Sequence, residues 1–119
     1  RHHATPVAFT DAMWAKHGAA LSEALTFTDP KTHQAPKTNV YNGPGSTFDS
    51  LLGRGVHVAV CGMATRFFAG LAAGKAGMTA DAVYRELVAN LVRNSHVVPA
   101  GIVAVNRAQE RGYTFAYVG

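Results

Sequence analysis

The stretch Gly55-Val56-His57-Val58-Ala59-Val60-Cys61-Gly62 decides how this chain is read. As an extended segment it sends Val56, Val58 and Val60 to one side and His57, Ala59 and Cys61 to the other. Both sides are largely apolar, which is the signature of a parallel strand covered on both faces. It ends on the only cysteine of the chain. Gly62 follows, and a helical pattern opens at Met63. A strand that runs straight into a helix brings its carboxyl end to a helix N-terminus. There, unpaired N–H groups and a partial positive charge favour anions. A thiol at such a place ionises more readily than a free one.

Downstream, Met63, Phe67, Phe68 and Leu71 carry a helix that fades at Gly74 and Gly77. Thr79 is placed as the cap of the next helix, with Asp81 in its first turn. Val83, Tyr84, Leu87, Val88 and Leu91 form its apolar stripe. His96-Val97-Val98 reads as a second strand, turned by Pro99-Ala100-Gly101 into a helix from Ile102 to Arg111 that stops at Gly112. Tyr113 to Val118 alternates aromatic and small residues and reads as a last strand. The order strand–helix–strand–helix–strand predicts an α/β fold with a parallel sheet.

Upstream, Thr5 and Pro6 stand as the cap and first residue of a helix that carries Phe9, Met13 and Trp14 and stops at Gly18. A second short helix covers Ala20 to Leu25. From Thr26 to Thr47 the periodicity vanishes among turn signals such as Asp29-Pro30, Ala35-Pro36 and Asn42-Gly43-Pro44-Gly45. Loops this long are unusual in a compact domain, and 26–47 is expected to be a long loop or an oligomerisation arm. Phe48 to Leu52 is a short helix closed by Gly53 and Gly55. Three strands make a thin sheet, and the chain opens at Arg1 without a methionine. The expectation is a single domain over 1–119 whose N-terminal strand precedes Arg1.

Composition bounds the function. Of 119 residues, 48% are hydrophobic and only 15% charged, so either other subunits cover part of the surface or the domain is simply rich in alanine and glycine. The net charge of +4 is spread without a Lys/Arg run, so no nucleic-acid partner is expected. No apolar run is long enough to span a membrane. A single cysteine excludes a disulfide framework and a multi-cysteine zinc site. The six histidines yield no recognised metal motif. The weak alternative is His57 with Cys61, although four residues along a strand separate them by about 13 Å. His96 is placed at the amino edge of the sheet, away from the thiol. Gly62, Met63, Pro99 and Gly101 line the strand–helix turns and could cradle an anion, with Arg66 one turn into the helix. No Gly-rich nucleotide fingerprint is present, and no cofactor is expected.

Gly55-Val56…Val60-Cys61, Val98-Pro99-Ala100-Gly101-Ile102-Val103 and Gln109-Glu110-Arg111-Gly112-Tyr113, in this order, resemble the motifs of the DsrE/DsrF-like family. Asp11-Ala12-Met13-Trp14-Ala15-Lys16 and Thr28-Asp29-Pro30 resemble a less characterised branch of it whose members often carry export signals. The resemblance implies a flavodoxin-like parallel sheet with helices on both faces, here without its first strand. It implies a homo-oligomer, trimer or hexamer, and a role in sulfur metabolism with Cys61 carrying sulfur as a persulfide. A donor or acceptor protein for that sulfur is implied with it. Membership of the exporting branch would place the protein in the periplasm, and otherwise in the cytoplasm. The alternative from another class is a non-catalytic small-ligand or metal-binding assembly module with a pocket between subunits.

Overall fold

The structure, a computed structural model, describes residues 5–41 and 47–117. Among these it is a mixed α/β protein with a two-stranded parallel sheet. The strands are β1 (Val58–Cys61) and β2 (Ser95–Val98), in the register Val58↔Ser95 to Cys61↔Val98. The helices are α1 (Asp11–Leu25), α2 (Thr47–Gly53), α3 (Gly62–Ala76), α4 (Ala80–Ala89) and α5 (Gly101–Glu110). Parallel neighbours need a crossover, and α3 and α4 together supply it. No helix is long and apolar enough to cross a membrane among the described residues.

The core lies mainly between helices rather than on the sheet. Phe9 beside α1, Met13, Trp14 and Leu21 of α1, Phe68 of α3, and Val83 and Leu87 of α4 are all buried in one cluster. Ala69, Ala72 and Ala73 are the α3 side of it, and their small side chains let the neighbouring backbones come close. Val60 of β1 is buried in a second, smaller cluster with Ala8, Leu52 and Val92. It is the only fully buried residue of either strand, and α5 buries none.

Several sequence expectations are corrected. Thr5–Ala8 is a 3-10 turn, and α1 begins only at Asp11, after the extended Thr10. The turn is held where it is by Trp14, whose buried indole N–H donates to the Pro6 carbonyl at 3.1 Å. Gly18 does not stop a helix, because α1 runs through it and ends at Thr26, which adopts the left-handed conformation at φ 51°. The expected second helix is the continuation of α1. Gly74 is likewise inside α3, which ends at Gly77 with φ 63°. β1 starts at Val58 rather than Val56. Tyr113 to Tyr117 is not a strand but coil, with Tyr113, Phe115 and Tyr117 exposed. Its alternation suits a strand, but no described strand lies alongside to take its hydrogen bonds. Thr79 does cap α4, its hydroxyl accepting from the Ala82 N–H at 3.1 Å.

The Thr26–Thr47 loop is anchored within its own chain over its described part. Asn39 is buried and acts as a pin. Its backbone N–H donates to Asp11 Oδ1 at 2.8 Å, and its side-chain amide donates to the carbonyls of Val7 and Phe9 at 2.7 and 2.9 Å. Pro36 packs on Gly18, where a Cβ would come within 2.0 Å of the Pro36 carbonyl oxygen. That contact explains the glycine: the loop backbone occupies the space of a side chain. Residues 42–46 and the expected strand connection at Arg1–Ala4 lie outside the described residues.

The chain start also borders the sheet region. Val92 N–H donates to the Ala8 carbonyl at 2.8 Å, and Phe9 forms an antiparallel bridge with Leu91. Between α1 and α4, Lys16 and the buried His17 both reach Glu86. Their hydrogen bonds hold its carboxyl below the usual range, the lysine contributing most.

Gly18→Ala is expected to destabilise the protein by about 1–3 kcal/mol, the range for overpacking a filled site. Urea unfolding checks this: the midpoint should fall with the slope unchanged.

Candidate functional site

Cys61 is the last residue of β1 and the N-cap of α3, with extended φ and ψ of −71° and 113°. An N-cap side chain faces the N–H groups two and three residues on, which here belong to Met63 and Ala64. A third N–H comes from elsewhere in the chain. Because β1 and β2 are parallel and in register, β2 ends level with Cys61, and α5 begins three residues later at Gly101. The Gly101 N–H therefore faces the same sulfur.

Two glycines make this approach possible. A Cβ on Gly62 would lie 3.2 Å from the Val98 carbonyl oxygen and 3.4 Å from Val97. A Cβ on Gly101 would meet the Cys61 Cβ at 3.7 Å, already van der Waals contact. Thr65, fully buried one turn into α3, donates its hydroxyl to the Cys61 carbonyl at 2.9 Å and fixes the cap backbone.

Cys61 is half-buried. Partial burial pushes its pKa up. The N–H groups of Ala64, Gly101 and Met63 pull it down, and the net result lies below the ordinary thiol value. The neutral side chain makes no formed cap hydrogen bond, as expected for so weak an acceptor as a thiol. The donors are in place for the anion, which accepts far more strongly. The chemical capacity of the arrangement is a thiolate held at two helix N-termini and partly open to solvent.

Of the residues expected at this site, Cys61, Gly62, Met63 and Gly101 are brought together. Pro99 lies on the adjoining turn and lines a groove of about 360 Å³ with Val98, Val103, Arg107, Arg111 and Tyr113. Arg66 is not recruited: its guanidinium sits 4.0 Å from the centre of the Tyr84 ring, as a cation–π contact joining α3 to α4. Ala64 was not anticipated, although its place as third residue after the cap is the signal that would have found it. His57 and Cys61 stand at opposite ends of the strand segment, and His57 instead meets His96, with Nδ1 and Nε2 2.9 Å apart. Among the described residues no group of three or more His, Cys, Asp or Glu side chains could hold a metal ion.

The lowered pKa gives a signed expectation. The rate of Cys61 alkylation should rise with pH through a lower midpoint in the folded protein than in the unfolded chain. Unfolding in urea should raise the midpoint. The same linkage makes the thiolate's contribution to stability present above the unfolded pKa and lost as pH falls through the folded one. Iodoacetamide kinetics against pH, folded and unfolded, measure both midpoints.

No family model matches the chain, and neither a curated protein nor a solved structure is detectably similar to it.

Proposed function

We propose that this chain is a DsrE/DsrF-like, flavodoxin-like oligomeric protein of sulfur metabolism in which Cys61 carries sulfur as a persulfide. The observation that supports this reading is the convergence of the Met63, Ala64 and Gly101 N–H groups on the half-buried Cys61. Thiol–disulfide and persulfide exchange proceed by thiolate attack, so a site that stabilises the anion favours loading.

The step is a displacement. The Cys61 thiolate attacks the outer sulfur of a sulfane donor R–S–SH, forming the Sγ–S bond. The S–S bond of the donor breaks, its electron pair leaves on R–S⁻, and the transferred sulfur's proton is released to solvent. An acceptor thiolate then attacks the outer sulfur of the Cys61 persulfide, and the Cys61 thiolate departs. The three N–H groups that stabilise the resting anion also stabilise Cys61 as the leaving group. Oxidation state is conserved across the cycle, and no cofactor is required.

Exposed apolar surface supports assembly into a trimer or hexamer. Met63, Phe67 and Leu71 repeat every fourth residue along the exposed side of α3, with Met63 68% exposed. Ile102 on α5 is 71% exposed, and Tyr117 in the C-terminal segment 84%. Exposed large apolar side chains that line one helix face, as on α3, are what an interaction site presents. The same surface favours the second reading, an assembly module with a ligand pocket between subunits. The two diverge at the sulfur.

Cys61→Ser is expected to fold and assemble as the wild type does, since the change is nearly isosteric, and to lose sulfur loading entirely. Mass spectrometry after incubation with a sulfane-sulfur donor reads the added sulfur. A wild-type chain that stays unloaded supports the assembly module instead. Light scattering at micromolar concentration should give three or six times the chain mass, and a monomer mass contradicts the oligomer.

A further inference from the structure

The other end of the same strand segment carries a second constellation. His57 and His96 lie on one face of the sheet: Ala59 is opposite His96, and His57 is two residues before Ala59. This is the diagonal neighbour relation within reach of long side chains. The rings are 23° from parallel with centroids 5.1 Å apart, and His57 Nδ1 and His96 Nε2 approach to 2.9 Å. Both residues are exposed. The backbone beneath them is fixed. Val58 N–H donates to the Asn94 carbonyl at 2.8 Å, and the Asn94 side chain donates to the Leu52 carbonyl at 3.1 Å.

Two neutral imidazoles at this distance share one proton, one ring donating and the other accepting. When the donor ring takes its other tautomer, both facing nitrogens carry lone pairs, and two such donors at a solvent-open gap are what a borderline divalent ion binds. We propose that His57 and His96 form a two-imidazole site for a late first-row transition ion such as Zn²⁺, with water filling its remaining positions. Two Zn–N bonds of about 2.0–2.1 Å at a tetrahedral angle place the nitrogens about 3.3–3.4 Å apart. The present gap need open by only a few tenths of an ångström, and exposed rings turn freely enough to supply that. The shared proton moves to the other ring nitrogen of the same imidazole, and the ion takes its place between the rings. Imidazole donors suit zinc, copper and nickel, whereas Mg²⁺ and Ca²⁺ require oxygen ligands that this pair does not offer.

The site stands apart from the thiol, and its test is independent of sulfur loading. Isothermal titration of the full chain with Zn²⁺ is expected to show one ion per chain, with Mg²⁺ giving no heat. His57→Gln and His96→Gln, both surface changes, should each weaken Zn²⁺ binding at least about tenfold by removing one of two ligands. Cys61→Ser should bind as the wild type does. In long-range proton–nitrogen spectra, Zn²⁺ should shift Nδ1 of His57 and Nε2 of His96 together. No binding by the wild type overturns the proposal. So does unchanged affinity in both glutamine variants, which would assign the ion to other histidines such as His2 and His3. Loss of binding in Cys61→Ser overturns it as well.

Discussion

The level, parallel pairing of β1 with β2 is the constraint on which the site depends. Each strand is followed almost at once by a helix, α3 after Cys61 and α5 after the turn at Pro99-Ala100. With the strands parallel and Cys61 opposite Val98, the two helix N-termini open at the same edge. An antiparallel pairing would send α5 to the far end and leave the thiol with donors from α3 alone. A register slip of one residue would turn the β2 side chains to the opposite face and carry Gly101 away from the sulfur. The acidity of one side chain is thus set by hydrogen bonds of the backbone ladder, far more than by any charged neighbour. The nearest candidate cation on α3, Arg66, is spent on Tyr84.

The packing is lopsided. The helical layer of α1, α3 and α4 holds the large buried side chains, Trp14, Phe68, Leu21 and Leu87 among them. The strands contribute Val60 alone. Burial is the principal favourable term in folding, so the stable part of the molecule is a helix cluster to which a short sheet is attached. The sheet borrows rigidity at discrete points. Arg93 reaches the Asp49 carbonyl at 3.2 Å, and Asn94 reaches Leu52, joining α2 to the start of β2. Val60 and Leu52 then share the smaller apolar cluster. The histidine pair stands directly over these anchors and the thiol at the opposite edge, so one short strand segment positions two kinds of donor chemistry without bringing them into contact.

What could be read from the sequence was what depends on near neighbours. Thr79 capping α4, the left-handed glycines Gly55, Gly77 and Gly112, the βα turn at Cys61-Gly62 and the one at Pro99-Gly101 are all local chemistry. What could not be read depends on distant partners. Gly18 looks like a stop because glycine usually is one. Here it is small because the Pro36 carbonyl, eighteen residues away, presses on the helix. Tyr113 to Tyr117 has a strand's alternation, but alternation alone does not provide a neighbour with which to pair. The thiol was legible as a strand-end cysteine and Gly101 as a turn residue able to cradle an anion, but the meeting of the two was not, because Gly101 reaches Cys61 only through the strand register. The meeting of His57 with His96 was hidden for the same reason, since it joins residues 39 positions apart.

α5 gives the molecule an unusual division of labour. It buries no residue, yet its first N–H is one of three that face the sulfur. Segments with few buried contacts open locally at little free-energy cost, independently of the rest of the fold. The position of α5 and the acidity of Cys61 are therefore linked through that one N–H: whatever holds Gly101 at the sulfur favours the thiolate, and the thiolate favours Gly101 in place.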